Sequence, residues 1–278
     1  MIRILIILAF FILSKTNLYS QPFVDPVQLR YMDAYRNNNS EIPSFSHLWV
    51  GSDLPIRLKN NTYLLISPFY EQWQFESANN LESYPTVQSI CLPIGLMTPL
   101  KESKWSLSII PLIRSNGEEL FSNNTFQYGG VFFTTFEKKQ NQKFRFGIYA
   151  NKEFFGWFII PVLGADWRLD EKNYIYGLLP GRLTYEHKWS TKLYGGATFR
   201  APMNSYLLSN GNYIRLDDNQ ISLYLDYYPV KKLCVTFEPG YGVFRKIRTG
   251  IDTHGYTSEL DWGDGPFIKL SAAYRIRL

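Results

Sequence analysis

The sequence predicts an all-β protein: an antiparallel transmembrane β-barrel of about twelve strands, within roughly ten to fourteen, with short periplasmic turns and longer extracellular loops. Three observations carry that prediction. Segments between turn signals alternate apolar and polar residues at period two, the spacing of a pleated strand, and none shows the 3.6 period of an amphipathic helix. Phe, Tyr and Trp supply 17% of the 278 residues, and aromatic side chains suit half-buried pleated surfaces. The chain opens with Arg3, an unbroken apolar run over 4–13 and a polar stretch ending at Ser20, the layout of a secretory signal peptide over residues 1–20.

Each element follows in order. The run 4–13 rises about 15 Å as a helix, half the hydrocarbon core, so the leader is too short for an anchor. Residues 21–42, with Pro22, Pro26 and the polar run 37–40, read as an irregular segment, either a periplasmic tail or a plug. The barrel is assigned to 43–278. Its first strands are expected near 43–58 and over 61–76, where Tyr63, Leu65, Phe69, Trp73 and Phe75 share a side, and then near 84–98. Over 104–114, Trp105, Leu107, Ile109, Pro111 and Ile113 oppose Lys104, Ser106, Ser108 and Arg114. Over 125–138, Phe126, Tyr128, Phe132 and Phe136 oppose Thr125, Gln127, Thr135 and Glu137; over 143–154, Phe144, Phe146, Ile148 and Ala150 oppose Lys143, Arg145, Tyr149 and Asn151. Further strands fall near 158–169, 174–188 and 191–201; within the second, Pro180 and Gly181 either turn a hairpin or bend one long strand. Over 220–228, Ile221, Leu223, Leu225 and Tyr227 oppose Gln220, Ser222, Tyr224 and Asp226, and 233–241 repeats the pattern. The last strand, 265–278, carries Ile268, Leu270, Ala272, Tyr274, Ile276 and Leu278 on one face. Tight turns such as 189–191 and 229–232 contrast with longer polar connections such as 202–212 and 248–263.

A secreted β-sandwich also alternates and also carries a leader. Many of these strands are longer than the five or six residues usual in globular proteins. Aromatics collect near strand ends, as at Tyr63, Trp73 and Phe75, at Trp105, and at Phe154, Phe155, Trp157 and Phe158, in the manner of interfacial girdles. An apolar final strand suits closure against the first.

The chemistry readable from composition is mostly exclusion. A net charge of +5 without a basic cluster does not make a nucleic-acid reader. Two cysteines, Cys91 and Cys234, rule out a disulfide scaffold, though both fall on inward faces where one bridge is conceivable. Three histidines, His47, His187 and His254, do not make a His-rich metal site. No catalytic residue, cofactor or metal is expected. The best lipid-hydrolase pairings, His187 with Ser190 and His254 with Ser258, lack the geometry, since His187 and Ser190 are three apart and face opposite ways on a strand. Asp252, Glu259, Asp261 and Asp264 share a loop without the spacing of a calcium site.

With apolar faces toward lipid, the opposite faces line a lumen, because Arg or Lys facing mid-membrane lipid costs about 2–4 kcal/mol. The expected lumen set is Arg145, Glu153, Asp166, Arg168, Arg182, Glu186, Lys192, Arg200, Asp226, Glu238, Lys269 and Arg275. Both signs occur in it, which predicts an ion-paired interior rather than a ring of one sign.

Residues 151–200 contain Gly-Ala-Asp-Trp-Arg at 164–168, a polar turn, Leu-Leu-Pro-Gly at 178–181 and Thr-Tyr-Glu-His-Lys at 184–188. This order resembles a family of outer-membrane β-barrels of unknown function from Bacteroidota-type bacteria. The resemblance implies a barrel and an outer-membrane location, and brings no activity with it. Leu278 departs from the aromatic residue with which outer-membrane proteins more often end.

The sequence therefore points to a non-enzymatic, monomeric protein of the bacterial outer membrane, either a narrow small-solute pore or a structural or binding component of the envelope. Its expected partners are outer-membrane lipid and, through the last strand, the barrel-assembly machinery, with no nucleic acid. A lipid-modifying barrel enzyme and a secreted β-sandwich binding protein are the two rival readings.

Overall fold

The computed structural model describes residues 22–35, 44–76, 85–251, 253, 255–261 and 263–278. They form one closed antiparallel barrel of 14 strands. The strands are β1 (Phe23–Ala34), β2 (Phe45–Gly51 and Leu54–Arg57), β3 (Tyr63–Ile66 and Phe69–Phe75), β4 (Val87–Pro99), β5 (Trp105–Gly117), β6 (Phe126–Lys139) and β7 (Gln142–Glu153). They continue as β8 (Gly156–Arg168), β9 (Asn173–Leu179), β10 (Arg182–Lys188), β11 (Leu193–Arg200 and Met203–Leu207), β12 (Tyr213–Val230), β13 (Leu233–Gly250) and β14 (Ser258–Asp261 and Gly265–Arg277). Each strand pairs with its neighbours in sequence, and β1 pairs with β14 from Phe23↔Arg277 to Ala34↔Phe267. Closure removes the sheet edges that lipid does not tolerate. Among the described residues no helix is long and apolar enough to cross a membrane; the crossing is made by strands.

The outer surface is what lipid requires. Leu29, Ile94, Ile109, Ile148, Ile159, Leu163, Leu223 and Leu270 are all exposed, on β1, β4, β5, β7, β8, β12 and β14. A band of this extent has no place in water. Trp105, Trp167, Trp189, Tyr227 and Tyr274 stand exposed near one end of it, and Tyr31, Tyr128, Trp157 and Tyr241 toward the other.

Connections 58–62, 100–104, 140–141, 169–172, 189–192 and 231–232 lie at one end, the turn end. The chain leaves β1 at Ala34, β3 at Phe75 and β5 at Gly117 at the other end, the loop end, where two tight turns at 154–155 and 180–181 also lie.

Four expectations change. Residues 21–42 were expected to be irregular, yet β1 occupies Phe23–Ala34. The pairing with β14 shifts register between Val24 and Val27, which absorbs Pro26 in a bulge. Pro180 and Gly181 turn a hairpin, so 174–188 is two strands. The connections 202–212 and 248–263 are partly strand, because Met203–Leu207 pairs with β12, β13 runs to Gly250 and Ser258–Asp261 pairs with β13. Tyr63, Trp73 and Phe75 are not girdle residues, for all three point inward and are buried.

The lipid-facing side of β12 gives a direct check. Leu223→Arg, at mid-strand and 65% exposed, is expected to lower the unfolding free energy in vesicles by about 2–4 kcal/mol in a denaturant titration, and Leu223→Ala by much less.

Candidate functional site in the lumen

Side chains fill the lumen from the turn end upward. Arg275 on β14 donates from Nε and Nη2 to the two oxygens of Asp25 at 2.7 and 2.8 Å, and from Nη1 to Asp226 at 2.5 Å. Its guanidinium lies 3.7 Å from the Phe23 ring centre. Arg277 donates to both oxygens of Glu186 at 2.5 and 3.0 Å and to the Tyr228 hydroxyl at 2.9 Å, with the Tyr194 ring beneath it. Forked pairs of this kind fix both position and plane. They brace β1, β10, β12 and β14 where the barrel closes.

Half-way up, Glu238 on β13 is the shared acceptor for Arg200, for Lys269 at 3.1 Å and for Ser222 at 2.7 Å. Arg30 on β1 stands close by without such a partner. It donates to Gln28 at 3.2 Å and lies 4.7 Å from the Trp49 ring centre, and among the described residues no carboxylate is within ion-pair distance of it. The Trp49 ring lies flat across Gly51, where a Cβ would meet it at 2.3 Å, so only glycine permits this placement.

At the loop end the barrel is crossed by its own chain. Ala201 and Pro202 interrupt β11, and Met203–Leu207 turns inward to reach the opposite wall, where Leu207 bridges to Gly117 of β5. Glu71 accepts from Asn204 at 2.7 Å and from the Tyr206 hydroxyl at 2.9 Å, and lies 3.2 Å from His47 Nε2. The His47 ring stacks on Trp73. The Ser205 hydroxyl donates to Glu153 at 2.6 Å and accepts from Gln127 at 3.0 Å, and Arg114 joins Gln127, Asn204 and Glu153.

The upper parts of β12 and β13 lean in with this segment. The lean begins where their pairing shifts between Asp217 and Asn219 and where Phe244 takes a φ of 53. Ile214, Leu216 and Ile247 then pack with Tyr206 against Met32, Phe45, Trp73, Phe75, Val87 and Phe267, forming a small apolar core inside the barrel. Burial of each such side chain is worth about 1.5–3 kcal/mol. Arg245 and Asp218, paired at 2.7 Å, seal its lower side.

Three hollows follow one another through the lumen, and a separate one of 430 Å³ opens at the turn end between β5 and β7 beside Ser106, Thr135 and Lys143. The largest, 760 Å³, lies between the inward-leaning hairpin and the β6–β9 wall, with Val131, Tyr149, Phe158, Ile160 and Val162 on one side and Arg30, Arg200 and Lys269 on the other. A polar hollow of 250 Å³ follows below it and shares Arg30, Trp49 and Arg200 with the first. A third, 350 Å³, lies at the turn-end rim and shares Arg275 with the second.

Of the residues expected in the lumen, Arg145, Glu153, Asp166, Glu186, Asp226, Glu238, Lys269 and Arg275 are buried, and Arg182 and Arg200 are half-buried on the hollows. Arg145 and Asp166 pair with each other at 3.4 Å. Arg168 and Lys192 are exposed; the first closes β8 and the second sits in a turn, beyond the depth at which the wall encloses a side chain. Sequence reasoning missed Asp25 and Arg30 on β1, Asp218 and Arg245 in stretches assigned to no strand, and Glu71, which alternation puts on the same side as Phe69 and Trp73. Arg114 was visible as the polar member of its strand.

The rival chemistries find no support in the geometry. His187 Nδ1 lies 2.8 Å from Asn173 Oδ1 and its ring is edge-on to Trp189, while the Ser190 hydroxyl accepts the Lys192 N–H. His254 and Asp252 lie outside the described residues. Glu259 is taken by Lys246 and Arg248, and Asp264 by the Arg245 N–H at 3.3 Å. Among the described residues no cluster of His, Cys, Asp or Glu is arranged to hold a metal. Cys91 and Cys234 are both free, since they sit on β4 and β13 rather than on adjoining walls.

No family model and no curated protein sequence matches the chain. Among solved structures it is similar to an outer-membrane channel from Pseudomonas putida F1, at 8% identity over 95% of this chain and 100% of that one, with a TM-score of 0.49. It is also similar to the NanC porin, at 9% identity over 89% and 100%, TM-score 0.40. A variant of the TodX monoaromatic hydrocarbon channel follows at 11% identity over 92% and 90%, TM-score 0.40. None of them assigns a role to a residue here.

Removing Arg275 leaves Asp25 buried without its cation and Asp226 with only Thr236 and Arg277 at 3.7 Å, and breaking a buried ion pair costs about 3–5 kcal/mol. Arg275→Ala is expected to lower the temperature at which the folded band is lost on a gel; an unchanged temperature would mean the fork does not brace the closure.

Proposed function

We propose that the chain is a narrow channel of the bacterial outer membrane, passing a small solute without catalysing a reaction. The observation that carries this is the row of hollows along the lumen, separated only by side chains: Arg30, Trp49 and Arg200 at the upper neck and Arg275 at the lower. Fourteen strands lie between the eight that side chains fill and the sixteen or more that enclose an open aqueous channel. A part-filled lumen with discrete necks is the expected intermediate. The apolar outer band and closed sheet support a membrane location, and the leader at 1–20 together with a barrel rather than helices supports the outer membrane. A purely structural barrel would gain nothing from a cavity of 760 Å³, a volume within the roughly 300–1,000 Å³ usual for small-molecule sites.

The test is single-channel conductance in planar bilayers, using protein whose folding is shown by a gel shift between unboiled and boiled samples. Wild type is expected to give small steps, and a variant carrying Arg30→Ala and Trp49→Ala steps at least about twofold larger, because both necklace side chains shrink together. Silence from both folded proteins would contradict passage.

A further inference from the structure

The largest hollow is open in the wall as well as along the axis. β9 and β10 have seven residues each, and their turn at 180–181 stops well below the rim. β9 meets β8 only from Leu163 onward, so residues 156–162 of β8 pair with β7 alone. On the far side of this notch the chain leaves the wall at Ala201 and Pro202 and turns into the lumen. Pro180, Gly181, Ala201, Pro202 and Phe244 all line the hollow, so it reaches the outer surface here. The notch lies at membrane depth, because Ile159 and Leu163 of the same stretch of β8 are exposed on the outer face at 63% and 57%. A strand edge left unpaired at that depth is tolerated only where it borders a cavity.

The two sides of the hollow differ in chemistry. The wall beside the notch is apolar, with Phe158, Ile160 and Val162 turned inward from β8 and Tyr149 and Val131 behind them. The inner end holds the cations Arg30, Arg200 and Lys269, with Glu238 just below them; Glu71 and Asp217 also line the hollow, but Glu71 is taken by Asn204, Tyr206 and His47 and Asp217 by Arg215 and Arg248, so Arg30 has no carboxylate of its own. A half-buried cation that faces a cavity without a counter-ion is a seat for an anion.

We infer that the hollow takes an amphipathic monoanion, a carboxylate on an acyl or aryl body, admitted sideways from the outer leaflet through the notch between β8 and β11, with its acid group at Arg30 and its body against Phe158, Ile160 and Val162. This rests on the channel reading and specifies its solute.

Trp49, beneath Arg30, supplies the signal. Folded protein in phosphatidylcholine vesicles is titrated with 11,12-dibromododecanoate delivered in the bilayer, and quenching is read as the difference between wild type and Trp49→Phe. Saturable quenching is expected, weakened at least about tenfold by Arg30→Gln, with the dibrominated alcohol of the same length binding no better than the Arg30→Gln protein binds the acid. Ala201→Phe, which fills the notch without adding a second indole, is expected to slow quenching at least about tenfold for acid supplied in the bilayer and to leave quenching by water-soluble 6-bromohexanoate unchanged. No saturable quenching in folded protein, or equal quenching by acid and alcohol, would overturn the anion site. Unchanged bilayer delivery in Ala201→Phe would overturn the sideways route. Conductance or solute flux that persists without quenching sinks this inference and leaves the channel standing; quenching without flux upholds the site and sinks passage.

Discussion

The lumen is organised by one constraint: five residues, Met203–Leu207, are held across the barrel by carboxylates on the far wall. Glu71 takes Asn204 and Tyr206, and Glu153 takes Ser205. Buried carboxylates are costly unless hydrogen-bonded on both oxygens, and these two are, so the segment and the wall satisfy one another. Once β11 leaves the wall at Ala201, β12 must lean in after it, since the two remain paired. β13 follows β12. The apolar core at Ile214, Leu216 and Ile247, the notch above the β9–β10 hairpin and the hollow beside it all follow from that departure.

Interior charge is handled in two ways. Toward the turn end, Arg275 and Arg277 are matched to carboxylates through forked hydrogen bonds, which makes the region rigid and closed. Toward the centre the matching is incomplete, because Glu238 serves both Arg200 and Lys269 while Arg30 leans only on Trp49 and Gln28. Full neutralisation braces a wall, whereas an unmatched cation beside a cavity recruits an anion. The change from one regime to the other coincides with the neck at Arg30, Trp49 and Arg200.

The strands were legible in the sequence wherever the lipid face is apolar and the lumen face polar, as at 104–114, 125–138, 143–154 and 220–228. Alternation declares a strand but not which face meets lipid. In β3 and in the upper parts of β12 and β13 the usual polarity is reversed. Trp73, Phe75, Ile214, Leu216 and Ile247 face inward, and Arg215, Asp217, Lys246 and Arg248 face away from the inner core, so these stretches resembled girdle residues or polar loops. β1 was hidden by Pro22 and Pro26, which read as breakers until a bulge is known to accommodate them. The inward segment depends on pairs such as Glu71 with Tyr206, 135 residues apart, and no local pattern encodes such a pair.

The crossing of the lumen is tested most directly where it surfaces. Ser209, just beyond the inward segment, is hydrogen-bonded to Glu118 on the β5–β6 loop, and both side chains are exposed. With Cys91→Ser and Cys234→Ser as background, Ser209→Cys and Glu118→Cys are introduced together and treated with a short bismaleimide in folded protein. A crossing segment predicts nearly complete intramolecular cross-linking that does not depend on protein concentration. Folded protein in which each cysteine accepts a monofunctional maleimide but the pair fails to cross-link would contradict the crossing.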